Sequence, residues 1–222
     1  MALWFTSDTH FGHANIIKYC NRPFYNTDHM NAALVDQYND NVDDGDDVWW
    51  LGDIALGNTE TSLLHVRSCK GHKTLVVGNH DRMFHTARSR RPPDPRWEQI
   101  YRDAGFERVI TTHTSLTLSE GTAVNISHFP YSGDHSSTDR YSEARPHDDG
   151  RWLLCGHVHD AWTQQQRQIN VGVDAWAGFP VNETVICSLI DGGPAHRPPS
   201  PWSWNQDTRP GPEEPTHTIS IP

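Results

Sequence analysis

The sequence predicts a layered α/β fold on three observations. Apolar stretches of about four to six residues recur along the chain, and such runs are typical of strands buried on both faces. Segments with apolar residues at helical spacing lie between several of these stretches. Five stretches end in a cluster of Asp, His, Asn or Gly. Because α/β folds bind ligands where strands deliver their loops at one edge, these clusters predict a functional site there.

The predicted strands that precede the clusters are Leu3–Thr6, Val48–Leu51, Thr74–Val77, Ala123–Ser127 and Trp152–Cys155. The clusters are, in order, Ser7-Asp8-Thr9-His10, Gly52-Asp53, Gly78-Asn79-His80-Asp81, His128-Phe129-Pro130 and Gly156-His157-Val158-His159. They offer carboxylate, imidazole and amide groups, which bind borderline divalent metals such as Mn, Fe, Co, Ni and Zn. Cysteine is absent from every cluster, which argues against a structural zinc site.

Three segments carry the helical pattern. They are the segment from Met30 to Val42 after a cap at Asn26 or Thr27, the segment around Leu63 after Asn58, and Arg96–Ala104, which Gly105 stops. Polar caps and a terminal glycine are the usual boundaries of helices. Alternation of such helices with buried strands is the reason for predicting an α/β fold.

The later predicted strands have few helices between them, which indicates a second, mostly antiparallel sheet packed on the first. They are Thr114–Leu118, Ala123–Ser127, Ile169–Gly172 and Thr184–Ile190. The segment Arg88–Arg96 is basic and proline-rich, and it is predicted to be a surface loop because proline suits neither a helix interior nor an inner strand.

Two domain segments are predicted: a catalytic domain over residues 1–190 and a proline-rich C-terminal tail over residues 191–222. Eight of the 15 prolines fall in these last 32 residues, a composition typical of an extended tail without its own core. The tail contains Trp202 and Trp204, whose large apolar area favours docking on the body. Composition therefore favours an extended tail, whereas the tryptophans favour a tail docked on the body, and both alternatives stay open.

Composition excludes several classes of protein. The 222 residues carry 28 acidic and 18 basic side chains, a formal charge of −10, which argues against a protein that coats DNA or RNA through a basic surface. The four cysteines show no C-x-x-C spacing. Neither a membrane-spanning run nor a secretion signal is recognisable. A cytoplasmic protein is therefore expected, in the host cytoplasm if the chain is phage-encoded, with no membrane partner.

The number of candidate ligands predicts two metal ions. Seven oxygen or nitrogen donors occur in the clusters, more than one tetrahedral ion uses. Two divalent ions about 3.5 to 4 Å apart are the arrangement by which phosphatases and nucleases hold the attacking and leaving oxygens of an in-line displacement.

The order and spacing of the five clusters resemble the motifs of the calcineurin-like metallophosphoesterases. The resemblance spans about Trp4 to Trp176. The stretch from Asp8 to Ile17, then Arg22-Pro23-Phe24, and later Asn170-Val171-Gly172-Val173-Asp174, is similar to the small bacterial and bacteriophage-encoded branch. The resemblance implies a four-layer αββα sandwich of two mixed β-sheets flanked by helices.

The resemblance also implies a role for each motif residue. Asp8, His10 and His159 would hold the first metal, and Asn79, His128 and His157 the second. Asp53 would bridge the two ions. A hydroxide shared by the ions would attack phosphorus. His80 would stabilise the transition state or protonate the leaving oxygen, with Asp81 orienting its imidazole.

Two residues near the first motif are candidates for substrate binding. His13 either caps the following helix or contacts the phosphate of the substrate. Arg22 either grips a phosphate oxygen bidentately, which suits its planar guanidinium, or pairs with a surface carboxylate. The sequence leaves both alternatives open for each residue.

The resemblance implies hydrolysis of phosphoric esters and favours a phosphodiesterase of nucleotides, with 2',3'-cyclic nucleotides or RNA ends as substrates. Mn is the favoured metal, with Fe, Ni, Co or Zn as alternatives. Long duplex DNA is not expected as a partner. Two alternative functions are a phosphomonoesterase of small substrates and a catalytically silent metal-binding adaptor that uses the tryptophan-containing tail. Neither the native metal nor the oligomeric state follows from the sequence.

Overall fold

The computed structural model describes residues 1–90, 92–134 and 138–202. Its strands, numbered in chain order, are β1 (Leu3–Thr6), β2 (Asp47–Trp50), β3 (His72–Val76), β4 (Phe106–Ile110), β5 (Thr114–Thr117), β6 (Ala123–Ile126), β7 (Trp152–Cys155), β8 (Gln164–Gln166), β9 (Gln168–Asn170), β10 (Val181–Asn182) and β11 (Ala195–Arg197). Its α-helices are α1 (Ala14–Tyr19), α2 (Thr27–Asn39), α3 (Thr59–Ser62), α4 (Leu64–Arg67), α5 (Arg96–Asp103) and α6 (Glu183–Asp191).

The strands form two mixed sheets, which confirms the predicted fold class. The first sheet has the order β10-β1-β2-β3-β4, with β1 to β4 parallel and β10 antiparallel at the edge. The second has the order β11-β8-β9-β7-β6-β5. Its pairs β6–β7 and β7–β9 are parallel, and its other pairs are antiparallel. The parallel strands of each sheet deliver their following loops to one edge.

The side chains of β2 show how the layers are held together. Val48 and Trp50 face the core between the first sheet and helices α1, α2 and α5, whereas Trp49 and Leu51 face the core between the two sheets. This alternation follows from the two-residue period of a strand. The other face of the second sheet is covered by Tyr131 and Trp162, which pack against Leu153 and Cys155 of β7.

The predicted starts of the helices agree with the structure, whereas α2 ends at Asn39, before the predicted Val42. The side chain of Asn26 accepts a hydrogen bond from the backbone N–H of His29, so Asn26 rather than Thr27 caps α2. Asn58 caps α3 in the same way, through the N–H of Thr61. After α5 the chain turns at Gly105, whose φ of +109° is a conformation that favours glycine.

The prediction of a strand over Thr184–Ile190 is wrong, because α6 occupies this segment. Asn182 caps the helix by accepting from the N–H of Thr184. Ile186 and Cys187 are buried, and Ile190 packs against the same core. These positions follow a helical spacing, and the exposed Val185 would have had to be buried in an inner strand. A run of apolar β-branched residues therefore concealed the helical period.

Part of the tail docks on the body. β11 pairs antiparallel with β8 and extends the second sheet. Trp202 packs against the helix-side core, with its ring 5.5 Å from that of Phe24. Trp204 lies outside the described residues. Of the helices that the structure describes, none has the length and apolar character needed to cross a membrane.

The docking of Trp202 gives a measurable expectation. Trp202→Ala removes the contact with Phe24, so the free energy of unfolding should fall by about 2 kcal/mol. For a chain of this length the melting temperature should drop by roughly 4 to 8 °C, measured by circular dichroism. Leu64→Ala, at a half-exposed leucine, is the control and should change stability less. An equal effect of the two variants would contradict the docking.

Candidate metal centre

Backbone hydrogen bonds join four of the five motif loops in pairs at one edge of the two sheets, and the N–H of His80 in the fifth loop donates to the carboxylate of Asp53. The N–H groups of Asp8 and His10 donate to the carbonyls of Gly52 and Asp53, which joins the loops after β1 and β2. The N–H of Gly156 donates to the carbonyl of His128, which joins the loops after β6 and β7. Ser7 also bridges to Gly172 of the second sheet. Both sheets therefore contribute side chains to one site.

Two groups of buried ligand atoms lie side by side in this site. The ligand atoms of Asp8, His10 and His159 lie within 4.8 Å of one another, and so do those of Asp8, Asp53 and His128. Asp53 lies between the groups: its Oδ2 is 3.6 Å from His10 Nε2 and 3.5 Å from His128 Nε2. The first group is the predicted ligand set of the first metal. The place of Asp53 matches that of a bridging carboxylate.

Asn79 lies against the remaining two predicted ligands. Its Oδ1 is 3.1 Å from His128 Nε2 and 2.9 Å from His157 Nδ1. An amide oxygen and two imidazole nitrogens therefore converge on one point. The structure thus brings all seven predicted metal ligands together in two neighbouring sets, with Asp53 between them.

Three of the histidines each have one ring nitrogen held by an acceptor. His159 Nδ1 donates to Asp174 at 2.9 Å, and His157 Nε2 to Asp134 at 3.1 Å. His128 Nδ1 donates to the carbonyl of Leu51 at 2.7 Å. Such a hydrogen bond fixes the tautomer and leaves the other nitrogen with a lone pair for a metal. This arrangement is typical of metal-binding histidines.

The backbone at the centre is strained. Asp8, His10, Asp53, His157 and His159 have φ values of 57°, 51°, 56°, 73° and 48°. Residues other than glycine rarely adopt this left-handed conformation, which costs on the order of 1–3 kcal/mol at each position and concentrates at functional sites. The fold therefore supports five unfavourable conformations at five of the seven predicted ligands.

Several buried polar atoms of the centre lack a partner that a cation would supply. Asp8 Oδ1 and both ring nitrogens of His10 are buried without a hydrogen bond to any described residue. Burial raises the pKa of the Asp53 carboxyl well above its usual range, and the nearby Asp8 and Asp81 carboxyls add to this effect. Buried charges are normally paired or bound to metal. The donor set therefore fits divalent ions.

Gly52 and Gly78 are required where two motif loops touch. A Cβ atom added to Gly52 would lie 2.6 Å from the Cα of Gly78, and one added to Gly78 would lie 2.6 Å from the backbone nitrogen of Asp53. Either atom would also lie 2.8 Å from His128 Nδ1. Because these contacts involve backbone, a side chain at either position would move the ligand loops apart.

Arg22 has a different role from the predicted ones. It is 4% exposed, and its Nε and Nη2 form a bidentate pair with Asp174 at 2.7 and 2.8 Å. Its Nη groups also donate to the carbonyls of Asp8 and Thr9. The structure directs the guanidinium to these protein groups, so it supports neither a phosphate contact nor a surface ion pair. Arg22 instead ties the first motif to Asp174, which orients His159.

Asp81 also differs from its predicted role. Its two carboxylate oxygens accept hydrogen bonds from the backbone N–H groups of Asp53, Ile54 and Gly78 and from the hydroxyl of Tyr101. The carboxylate is thus directed away from the imidazole of His80. Asp81 fixes the loops that carry Asp53 and Asn79, and it is a positioning residue.

His80 lies at the open side of the centre. Its side chain is 43% exposed, its Nε2 is 4.0 Å from Asp53 Oδ2, and its ring centre is 5.3 Å from that of His10. Burial, together with the nearby His128, lowers the pKa of His80 to about 4. This lowered pKa favours the neutral imidazole near pH 7. Its position next to the ligands without joining either group agrees with the prediction.

His13 stands at the rim, at the residue before α1. Its side chain forms no capping hydrogen bond with this helix, which does not support the capping role. Its ring lies 5.4 Å from that of His10 and faces Tyr19 at 6.3 Å. A contact between His13 and the substrate phosphate stays a prediction.

Sequence reasoning missed three residues of the site. Asp134, Asp174 and Tyr101 hold His157, His159 and Asp81 respectively. Asp174 lies in a motif that the sequence analysis noted without a role, whereas no local signal marks Asp134 or Tyr101. Asp134 also forms ion pairs with Arg140 at 2.9 Å and Arg145 at 3.2 Å, which fix the loop that carries it.

Comparison with known proteins agrees with this geometry. A family model described as the calcineurin-like phosphoesterase superfamily domain matches residues 1–192. The chain is 34% identical to the Gene 66 protein of Mycobacterium phage L5 over an alignment of 205 positions, which covers 85% of this chain and 93% of that protein. It is 36% identical to the Gene 66 protein of Mycobacterium phage D29 over an alignment of 183 positions, which covers 78% of this chain and 88% of that protein.

A solved structure shares the fold. A protein of unknown function from Aquifex aeolicus superposes with a TM-score of 0.63 at 22% identity, covering 85% of this chain and 98% of the other. At this identity the likeness concerns the fold alone. The superfamily typically binds divalent metals, and the two ligand groups described above are suited to them. The family match over residues 1–192 shows that the chain belongs to the calcineurin-like phosphoesterase superfamily, whose members hydrolyse phosphoric esters.

Proposed function

We propose that the chain is a dinuclear metal-dependent phosphodiesterase that hydrolyses phosphate esters of nucleotides, with 2',3'-cyclic nucleotides or RNA ends as substrates. The observation that carries this proposal is the position of Asp53, whose Oδ2 lies within 3.6 Å of imidazole nitrogens from both ligand groups. A carboxylate placed in this way is suited to bridge two ions.

Two bound divalent ions would supply Lewis-acid stabilisation of the phosphate oxygens and a nucleophile at neutral pH. Asp8, His10 and His159 would hold one ion, Asn79, His128 and His157 the other, and Asp53 both. Neutral His80 donates one N–H hydrogen bond to a phosphate or leaving oxygen. Its partial exposure allows this contact with a substrate that approaches from solvent.

Aromatic residues beside the centre support a nucleotide as the substrate. Phe129 and Tyr141 lie 5.1 and 5.7 Å from the ring of His157, and Phe84 packs against both. Phe84 and Tyr141 are partly exposed, and a nucleobase stacks on such rings without sequence preference, whereas Phe129 is buried behind them. Tyr131, by contrast, accepts a hydrogen bond from Asn125 and packs on the other face of the second sheet.

A substrate panel tests the proposal. Phosphomonoesters, a chromogenic diester, 3',5'-cyclic and 2',3'-cyclic nucleotides and short RNA are supplied to the protein with Mn, Ni or Zn. We expect the highest kcat/KM on 2',3'-cyclic nucleotides or RNA ends. A preference for monoesters would replace the proposal by a phosphomonoesterase, and metal binding without turnover of any ester would indicate an adaptor.

His80→Ala tests the proposed role of His80 in turnover. We expect a fall in kcat of about 10²- to 10³-fold, the usual cost of removing one hydrogen-bond donor to the transition state, with metal content unchanged by elemental analysis. His72→Ala, at an exposed histidine on β3 that pairs with Glu107, is the control and should retain full activity. Equal activity of His80→Ala and wild type would exclude the proposed role of His80.

A further inference from the structure

The segment that follows the Asn79-His80-Asp81 motif is strongly basic in an acidic protein. Between residues 82 and 96 the sequence holds five arginines and one aspartate, in a chain of formal charge −10. The structure describes four of these arginines, and all four are exposed: Arg82, Arg88, Arg90 and Arg96. We call these four residues the arginine loop. Local positive charge of this kind attracts phosphate groups that the rest of an acidic surface repels.

Two guanidinium groups of the arginine loop are held in place while staying accessible. Arg82 and Arg96 lie over the ring of Trp97 at 5.5 and 5.4 Å, and such stacking leaves the N–H groups at the edge of the guanidinium for phosphate. Arg96 also pairs with Asp94 at 2.9 Å. The side chain of Arg88 is 79% exposed, and it pairs with Glu143 only at 3.8 Å.

A cavity lies beside the segment between Arg82 and Arg88, and it borders the loop after β6, which carries His128. Its volume is about 290 Å³. Phe84, His85 and Thr86 line it on the side of the arginine loop, and His128 and Phe129 line it on the side of the metal centre. This volume is close to the lower end of small-molecule pockets. Aromatic rings and a hydroxyl group are suited to one unpaired base, whereas a duplex keeps its base faces stacked inside.

We propose that the arginine loop binds the phosphodiester backbone of a single-stranded oligonucleotide, with one unpaired base in the adjacent cavity and a phosphodiester at the metal centre. The inference rests on the proposed function and narrows its substrate class from free mononucleotides to the ends of single strands. The observations that carry it are the exposed positive charge of the arginine loop and the cavity beside it, which borders the loop that carries the ligand His128.

Binding of a nonhydrolysable strand tests the inference independently of turnover. A fluorescent 10-nucleotide phosphorothioate is titrated by anisotropy at several salt concentrations with wild type and with Arg88→Gln/Arg90→Gln. We expect the Kd of the variant to rise on the order of tenfold, and the slope of log Kd against log salt to fall by about 1.4, since each lost contact on a single strand removes about 0.7. Arg67→Gln/Arg151→Gln, two exposed arginines outside this loop, is the control and should behave as wild type.

The same variants are then assayed on a chromogenic diester, which does not reach the arginine loop, and on RNA of two to ten nucleotides. We expect wild-type kcat/KM to rise with RNA length, and Arg88→Gln/Arg90→Gln to lose this rise while hydrolysing the chromogenic diester within about twofold of wild type. Diester turnover with no length dependence, or equal losses in both double variants, would overturn the inference and leave the proposed function intact. Failure to hydrolyse any diester would instead overturn the proposed function.

Discussion

Asp53→Asn is expected to remove at least one metal ion and to lower kcat/KM by about 1000-fold or more. Asp53 is the carboxylate between the two ligand groups, and asparagine lacks the negative charge that two cations share. One Lewis acid is worth several kcal/mol in the transition state, and about 1.4 kcal/mol corresponds to tenfold in rate. Elemental analysis after dialysis against metal-free buffer gives the metal content, and turnover of a chromogenic diester gives the rate.

Metal-free protein provides a second readout for Asp53→Asn. The N–H of His80 donates to Asp53 Oδ1 at 2.8 Å, a bond that the asparagine oxygen also accepts. Because burial and the neighbouring carboxyls disfavour the charged form of Asp53, the metal-free variant should melt at or above the temperature of metal-free wild type. Added metal should raise its melting temperature less than that of wild type.

The control for this substitution is Asp40→Asn, at an exposed aspartate, which should keep both ions and full activity. Two ions at full occupancy in Asp53→Asn would contradict the bridging role. A metal-free variant much less stable than wild type would show instead that Asp53 acts mainly through the fold.

Asp174→Ala should destabilise the protein by about 3 to 5 kcal/mol. Asp174 is buried and forms a bidentate pair with buried Arg22, so its removal leaves an uncompensated charge in the interior, which typically costs this amount. His159 also loses the acceptor of its Nδ1–H. Loss of such a partner typically weakens metal affinity by about 10- to 100-fold. Chemical denaturation and metal titration measure the two effects.

A double-mutant cycle separates the ion pair from the orientation of His159. In the background of Arg22→Met, Asp174→Ala should cost much less stability, because no buried charge remains unpaired. The loss of metal affinity should persist in this background, since His159 still lacks its acceptor. Asp148→Ala, at an exposed aspartate paired with Arg167, should cost about 1 kcal/mol or less. Unchanged metal affinity in Asp174→Ala would exclude its role in positioning His159.

The part of the site that the sequence predicts is the part encoded in short motifs. Each ligand follows a strand directly, so the topology alone brings Asp8, Asp53 and His128 to one edge, and the residue types indicate metal. The carboxylates and carbonyls that hold the ligands in place could not be predicted in this way. Arg22 and Asp174 are separated by 152 positions, and no local spacing reveals that such residues meet.

The role predicted for Asp81, to orient the imidazole of His80, rested only on its being the next residue in the sequence. His80 and Asp81 are adjacent, yet the turn directs one side chain towards the open side of the centre and the other towards backbone N–H groups of the preceding loops. The strand predicted over Thr184–Ile190 failed for a related reason, because β-branched residues suit both a strand and a helix whose other face is exposed. In both cases contacts with distant residues determined the local structure, and the local sequence pattern carries no information about these contacts.

The hydrogen bond from the N–H of His157 to Asp8 Oδ2 joins residues 149 positions apart, and it has a consequence for folding. Contacts of such high sequence separation form only after a large loss of chain entropy, so they are slow to form. Asp8, the first predicted ligand to be synthesised, therefore forms this hydrogen bond only after His157 has been synthesised. A nascent chain of fewer than 157 residues lacks both His157 and His159, so neither predicted ligand set is complete, and full metal uptake becomes an event of the completed fold.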